Sequence, residues 1–131
     1  MSQPGPAILV LDDDEHVRET ISAVLGDAGF EVMTAATGWE AVALIEEKNF
    51  DLVIADIRLP GGLDGLDMAR HVRTRHPSLK CLFISGAREP VVCDPVLDDF
   101  VAKPFRSFEL IGCVWKVLRG NQPYPRLDIA R

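Results

Sequence analysis

Five short runs punctuate the chain: AILVL at 7–11, EVMTAA at 31–36, DLVIA at 51–55, KCLFIS at 80–85 and DFVA at 99–102. Most are apolar at every position rather than at every second one. A strand with one wet face alternates; a strand covered on both faces does not. The runs therefore predict a parallel sheet with helices on both of its faces. Segments with helical spacing lie between them. Val17, Ile21, Val24, Leu25 and Ala28 form one stripe, and Gly29 follows as a terminator. Thr37 stands three residues before Glu40, the spacing of a capping box. Leu66, Ala69 and Val72 make a third stripe, which Pro77 stops. A last helix is expected to open at Ser107 and end at Gly120. Strands and helices alternating on this scale predict a doubly wound α/β domain with right-handed crossovers.

One segment breaks the rhythm. GAREPVVCDPVLDD, at 86–99, holds Pro90 and Pro95, which a regular helix does not tolerate in its interior. The fourth helix is therefore expected to be shortened or irregular. A length of 131 residues suits one domain. We expect a flexible N-terminus over 1–6, the domain over 7–119 and a short tail over 120–131.

The net charge of −6 argues against a nucleic-acid surface. Arg70, Arg73 and Arg75 read as a solvated helix face, and His16, His71 and His76 as surface or partly packed residues. No stretch approaches the ~20 apolar residues of a membrane span, and MSQPGPAILVL lacks the basic start of a signal peptide. Cys81, Cys93 and Cys113 are odd in number, without metal-like spacing, and set among apolar neighbours. A reduced, cytoplasmic protein is the expectation.

In an open parallel sheet, ligands sit beyond the carboxyl ends of the strands. At those ends stand Asp12, Asp13 and Asp14, then Asp56, then Ser85, then Lys103 followed by Pro104. Carboxylates gathered at one edge repel one another unless a cation neutralises them. Hard oxygen ligands in that number suit Mg²⁺. One carboxylate can then act as a nucleophile toward a phosphoryl group, with Lys103 and the Ser85 hydroxyl orienting its oxygens.

The acidic cluster in ILVLDDDEHVRE, the stretch DLVIADIRLPGGLDG, the hydroxyl in FISGA and the KPF at 103–105 together resemble the receiver domain of bacterial two-component response regulators. The resemblance spans about Ala7 to Leu118. It implies a flavodoxin-like sheet of five parallel strands in the order 2-1-3-4-5. It makes Asp56 the acceptor of a phosphoryl group from the phosphohistidine of a sensor histidine kinase or phosphotransfer protein. Asp13, Asp56 and the backbone carbonyl of Arg58 would ligate Mg²⁺, with Asp12 acting through water. Ser85 and Phe100 would move as a switch, Lys103 would pair with the phosphoryl oxygens, and Pro104 would fix the turn through a cis bond. Such a protein is not an enzyme beyond its own phosphorylation and dephosphorylation. It would act on a downstream protein target, here as a stand-alone receiver without an output domain.

Some residues depart from the family pattern. LPGGLDG carries one residue more than usual, which lengthens the loop beside Asp56. Arg58 and Ala87, which flank the phosphoryl position, bear on its lifetime; Arg58 is expected to lie in solvent. The proline-broken 86–99 segment argues against the usual phosphorylation-driven dimer through that face. In its place the last helix is expected to turn Ile111, Val114, Trp115 and Leu118 to the sheet. Leu110, Cys113 and Val117 would then be exposed and support a homodimer. Two rival readings stand beside the receiver. Asp12-x-Asp14 with a later Ser and Lys also fits a phosphohydrolase of the haloacid-dehalogenase type. A degenerate receiver serving only as a binding module is the other.

Overall fold

A computed structural model of the chain describes residues 5–86 and 97–119. Strands β1 (Ala7–Leu11), β2 (Glu31–Ala35), β3 (Leu52–Asp56), β4 (Cys81–Ser85) and β5 (Asp98–Ala102) form one parallel sheet. Their order is β2-β1-β3-β4-β5, as the sequence led us to expect. Helices α1 (Glu15–Asp27), α2 (Gly38–Glu47), α3 (Gly65–Val72) and α4 (Ser107–Leu118) cover it. β1, β3 and β4 are flanked by strands on both sides and are buried almost throughout. β2 and β5 are edges and are partly exposed. That difference explains why the central runs are the most uniformly apolar.

Successive residues of a strand face opposite sides, so the sheet separates two cores. Ile8, Val10, Ile54 and Ile84 pack with Ile21 and Leu25 of α1 and with Leu110, Val114 and Val117 of α4. Leu9, Leu11, Val53 and Phe83 pack with Ala41 and Ile45 of α2 and Met68, Ala69 and Val72 of α3. Each large side chain buried in this way stabilises the fold by ~1.5–3 kcal/mol.

The helix starts follow from their caps. Asp14 accepts from the N–H groups of His16 and Val17 at 2.8 and 3.3 Å. The Thr37 hydroxyl accepts from Glu40 N–H at 3.1 Å, while Glu40 reaches back to Ala36 N–H at 2.7 Å. Asp64 caps α3 by accepting from Asp67 N–H at 2.8 Å. α4 opens at Ser107 as expected: Arg106 holds the cap position before it, and its N–H donates to Glu109 Oε1 at 2.7 Å. α1 ends at Asp27, so Ala28 lies outside its stripe and is exposed. Gly29 makes the turn at φ 97°, a conformation open to glycine.

Two expectations are corrected. α4 buries Leu110, Val114 and Val117, an i, i+4, i+7 stripe, and Cys113 is half-buried. Leu110 and Val117 therefore belong to the core and cannot form a dimer surface. The face left partly open instead carries Phe108, 68% exposed, and Trp115, which packs on Phe30 at 5.0 Å between ring centroids. Arg73 is not a solvated residue either. Its guanidinium donates to the Leu79 carbonyl from Nε at 3.1 Å and Nη2 at 2.7 Å, and pairs through Nη1 and Nη2 with the Asp98 carboxylate. This ion pair ties the end of α3 to the start of β5. The fourth helix, Ala87 and Cys93 lie outside the described residues.

Candidate functional site

Parallel strands all point the same way, so one edge of the sheet collects the residues at their carboxyl ends. β1 delivers Asp12 and Asp13, β3 ends on Asp56, β4 ends on Ser85, and β5 leads into Lys103. Carboxylate oxygens of Asp12, Asp13 and Asp56 lie within 4.8 Å of one another. Lys103 Nζ donates to Asp56 Oδ2 at 2.9 Å and stands 3.8 Å from Asp12 Oδ2. The Lys103 N–H donates to the Ser85 carbonyl at 2.8 Å, which registers β5 against β4 at the site. The Lys103–Pro104 bond is cis.

Asp12 and Asp56 are each oriented by a backbone group two residues on. Asp12 Oδ1 accepts from Asp14 N–H and Asp56 Oδ1 from Arg58 N–H, both at 2.9 Å. The second oxygen of each is thereby turned toward the cluster. Below Asp56, Gly65 lets α3 approach closely. A Cβ there would sit 2.3 Å from the Asp56 carbonyl oxygen.

Asp12 is 1% exposed and Asp56 9%, while Asp13 is exposed. Burial pushes the Asp12 pKa above the usual carboxylate value. The Asp14 N–H and Lys103 oppose that rise, and the neighbouring charges of Asp56 and Asp13 add to it. For Lys103, burial alone would lower the pKa. The Asp56 hydrogen bond and charge, followed by Asp12 and Asp13, outweigh it and hold the ammonium above its ordinary value. Among the described residues, Asp12 Oδ2 is buried without a hydrogen-bond partner. Three carboxylates in one small space, one of them with an orphaned oxygen, are a donor set that fits a hard divalent cation such as Mg²⁺.

The other predicted positions are also placed. Ser85 is buried, Arg58 is exposed, and Phe100 on β5 is 48% exposed. The loop after Asp56 passes through Gly61 and Gly62 at φ 93° and 89°, then buries Leu63 in the core. Asp14 does not join the cluster, because its carboxylate caps α1. That removes the second acid the phosphohydrolase reading requires. Sequence reasoning missed Arg18, whose Nη1 donates to the Asp12 carbonyl at 2.7 Å. Its place off the α1 apolar stripe was the available signal.

Comparison with known proteins agrees with this arrangement. Residues 8–114 match the family described as the response regulator receiver domain. The chain is 34% identical over 111 residues to the C4-dicarboxylate transport transcriptional regulatory protein DctD of Rhizobium meliloti, covering 82% of this chain and 24% of that protein. It is 36% identical over 121 residues to the response regulator MprA of a Mycobacterium species, covering 88% and 52%. The chain thus spans about half or less of these curated relatives. A response regulator receiver protein from Sinorhizobium medicae superposes with a TM-score of 0.80 at 29% identity, covering 92% of this chain and all of that one. The chemotaxis protein CheY4 of Vibrio cholerae gives 0.78 at 28% identity, covering 86% and 98%. The chain belongs to the response regulator receiver domain family of two-component systems.

Proposed function

We propose that the chain accepts a phosphoryl group on Asp56 from the phosphohistidine of a sensor histidine kinase or phosphotransfer protein, and that this changes its binding to a downstream protein. The observation that carries the reading is the meeting of Asp12, Asp13 and Asp56 within 4.8 Å, with Lys103 bonded to Asp56 at 2.9 Å. An Asp56 carboxylate oxygen attacks phosphorus, the P–N bond breaks, and the imidazole nitrogen keeps its electron pair. Mg²⁺ would be held by Asp13, Asp56 and the Arg58 carbonyl, with Asp12 through water, and would neutralise charge on the phosphoryl oxygens. Lys103 then exchanges its contact with Asp56 for one with a phosphoryl oxygen. Ser85 stands at the adjacent strand end to receive another. Phe100, now outward, follows Ser85 inward and alters the surface of β5, the two-state element such a switch requires.

The chain's own chemistry is limited to gaining and losing this group. Incubation with a small acyl phosphate or a phosphorylated kinase tests the proposal. Wild type gains one hydroxylamine-labile phosphoryl group in Mg²⁺ and none in EDTA, and Asp56→Asn gains none. A wild type that folds, binds Mg²⁺ and stays unlabelled refutes it in favour of a binding module without phosphotransfer.

A further inference from the structure

We infer that Arg18 is a positioning residue for the cation site, holding the turn after β1 so that Asp12 presents an oxygen to Asp13 and Asp56. The inference rests on the Mg²⁺ reading above and deepens it. Asp12 is constrained through nearly every polar atom it has. Its N–H donates to the Ala35 carbonyl of β2 at 3.2 Å, and its Oδ1 accepts from Asp14 N–H at 2.9 Å. Its carbonyl accepts from Arg18 Nη1 at 2.7 Å. Only Oδ2 is left without a hydrogen bond among the described residues, and it is the oxygen nearer Lys103 in the cluster.

Arg18 is half-buried although its helix neighbours Glu19 and Thr20 are exposed, so the side chain folds inward over the turn rather than into solvent. The contact spans α1 and the strand end, fixing the peptide between Asp12 and Asp13. That peptide sets the direction of both acids. A charge-assisted bond to a carbonyl is stronger than a neutral one and specific in direction. Outer contacts of this kind orient metal ligands without touching the metal.

The sign of the effect separates this role from simple electrostatics. A guanidinium bonded to the Asp12 carbonyl opposes a nearby divalent cation through space, so deleting its charge alone would tighten Mg²⁺ binding. Positioning predicts weaker binding. Arg18→Lys keeps the charge and loses the planar reach, so any loss it shows reports geometry alone.

Titration calorimetry with Mg²⁺ on wild type, Arg18→Met, Arg18→Lys and Asp13→Asn provides the test, with circular dichroism confirming each fold. We expect Arg18→Met to bind about 10-fold more weakly, at the low end for outer-shell partners. Arg18→Lys should fall between it and wild type, and Asp13→Asn should lose binding. Should Arg18→Met fail to fold, the loss in Arg18→Lys carries the result. Wild-type affinity in both Arg18 variants, or tighter binding in Arg18→Met, overturns the inference even if their melting temperatures fall. A wild type that binds no Mg²⁺ overturns the reading beneath it instead.

Discussion

Replacing Arg73 by Met should cost far more than a surface arginine would. The guanidinium serves two buried acceptors at once, the Leu79 carbonyl and the Asp98 carboxylate, and the Asp98 side chain is only 2% exposed. Met fills much of the same volume but leaves that carboxylate buried without its guanidinium. Removing one partner of a buried ion pair costs ~3–5 kcal/mol. Because Arg73 retains some access to solvent, we take the lower end, ~3 kcal/mol, against a total stability of ~5–15 kcal/mol for a domain. With a urea slope of ~2 kcal/mol/M, the unfolding midpoint falls by about 1.5 M. Urea titration followed by far-ultraviolet circular dichroism measures it. Arg73→Met combined with Asp98→Leu removes the stranded charge as well, leaving chiefly the Leu79 carbonyl without these donors, a cost of ~1–3 kcal/mol. The double variant should therefore be more stable than the single one. A single variant within ~1 kcal/mol of wild type, the range of exposed pairs, refutes the reasoning. So does a double variant less stable than the single.

Gly65→Ala places a Cβ against the Asp56 backbone, which cannot yield as a flexible side chain would. It should lose ~1–3 kcal/mol and also weaken binding of beryllofluoride, seen by melting and by calorimetry. Asp12→Asn should raise the melting temperature in EDTA at neutral pH. The Asp12 pKa is raised in the fold, so the charged form is what the fold disfavours, and the penalty is present above that raised value. The gain should shrink as pH falls toward the unfolded value of 3.8, where both states become protonated. Burial pushes the Cys81 thiol up to about 12, so native protein treated with iodoacetamide should show Cys81 unmodified by peptide mapping, and modified once unfolded.

The strands were legible because burial on both faces leaves a mark on every residue, as in LVIAD and CLFIS. The acids of the site were legible because parallel topology sends all strand ends to one edge. Contacts made across long sequence separations left no such mark. Arg73 and Asp98 are 25 residues apart, and nothing in the local pattern of either says that they meet. The phase of α4 failed for a different reason. Phe108, Leu110, Ile111, Cys113, Val114, Trp115, Val117 and Leu118 are apolar over most of the helix, so periodicity alone allows more than one rotation. Packing against Ile54 and Ile84 chooses Leu110, Val114 and Val117 and leaves Phe108 outside.

The small ring that Arg58 N–H closes onto Asp56 Oδ1 has a consequence for how such a chain can vary. The Asp56 carboxylate takes its aim from a neighbour two positions away, before the route through Gly61 and Gly62 begins. Insertions beyond Leu59 can therefore reshape the rim of the site while leaving the aim of the acid undisturbed. A single peptide group thus separates the aim of the acid from the shape of the loop beside it.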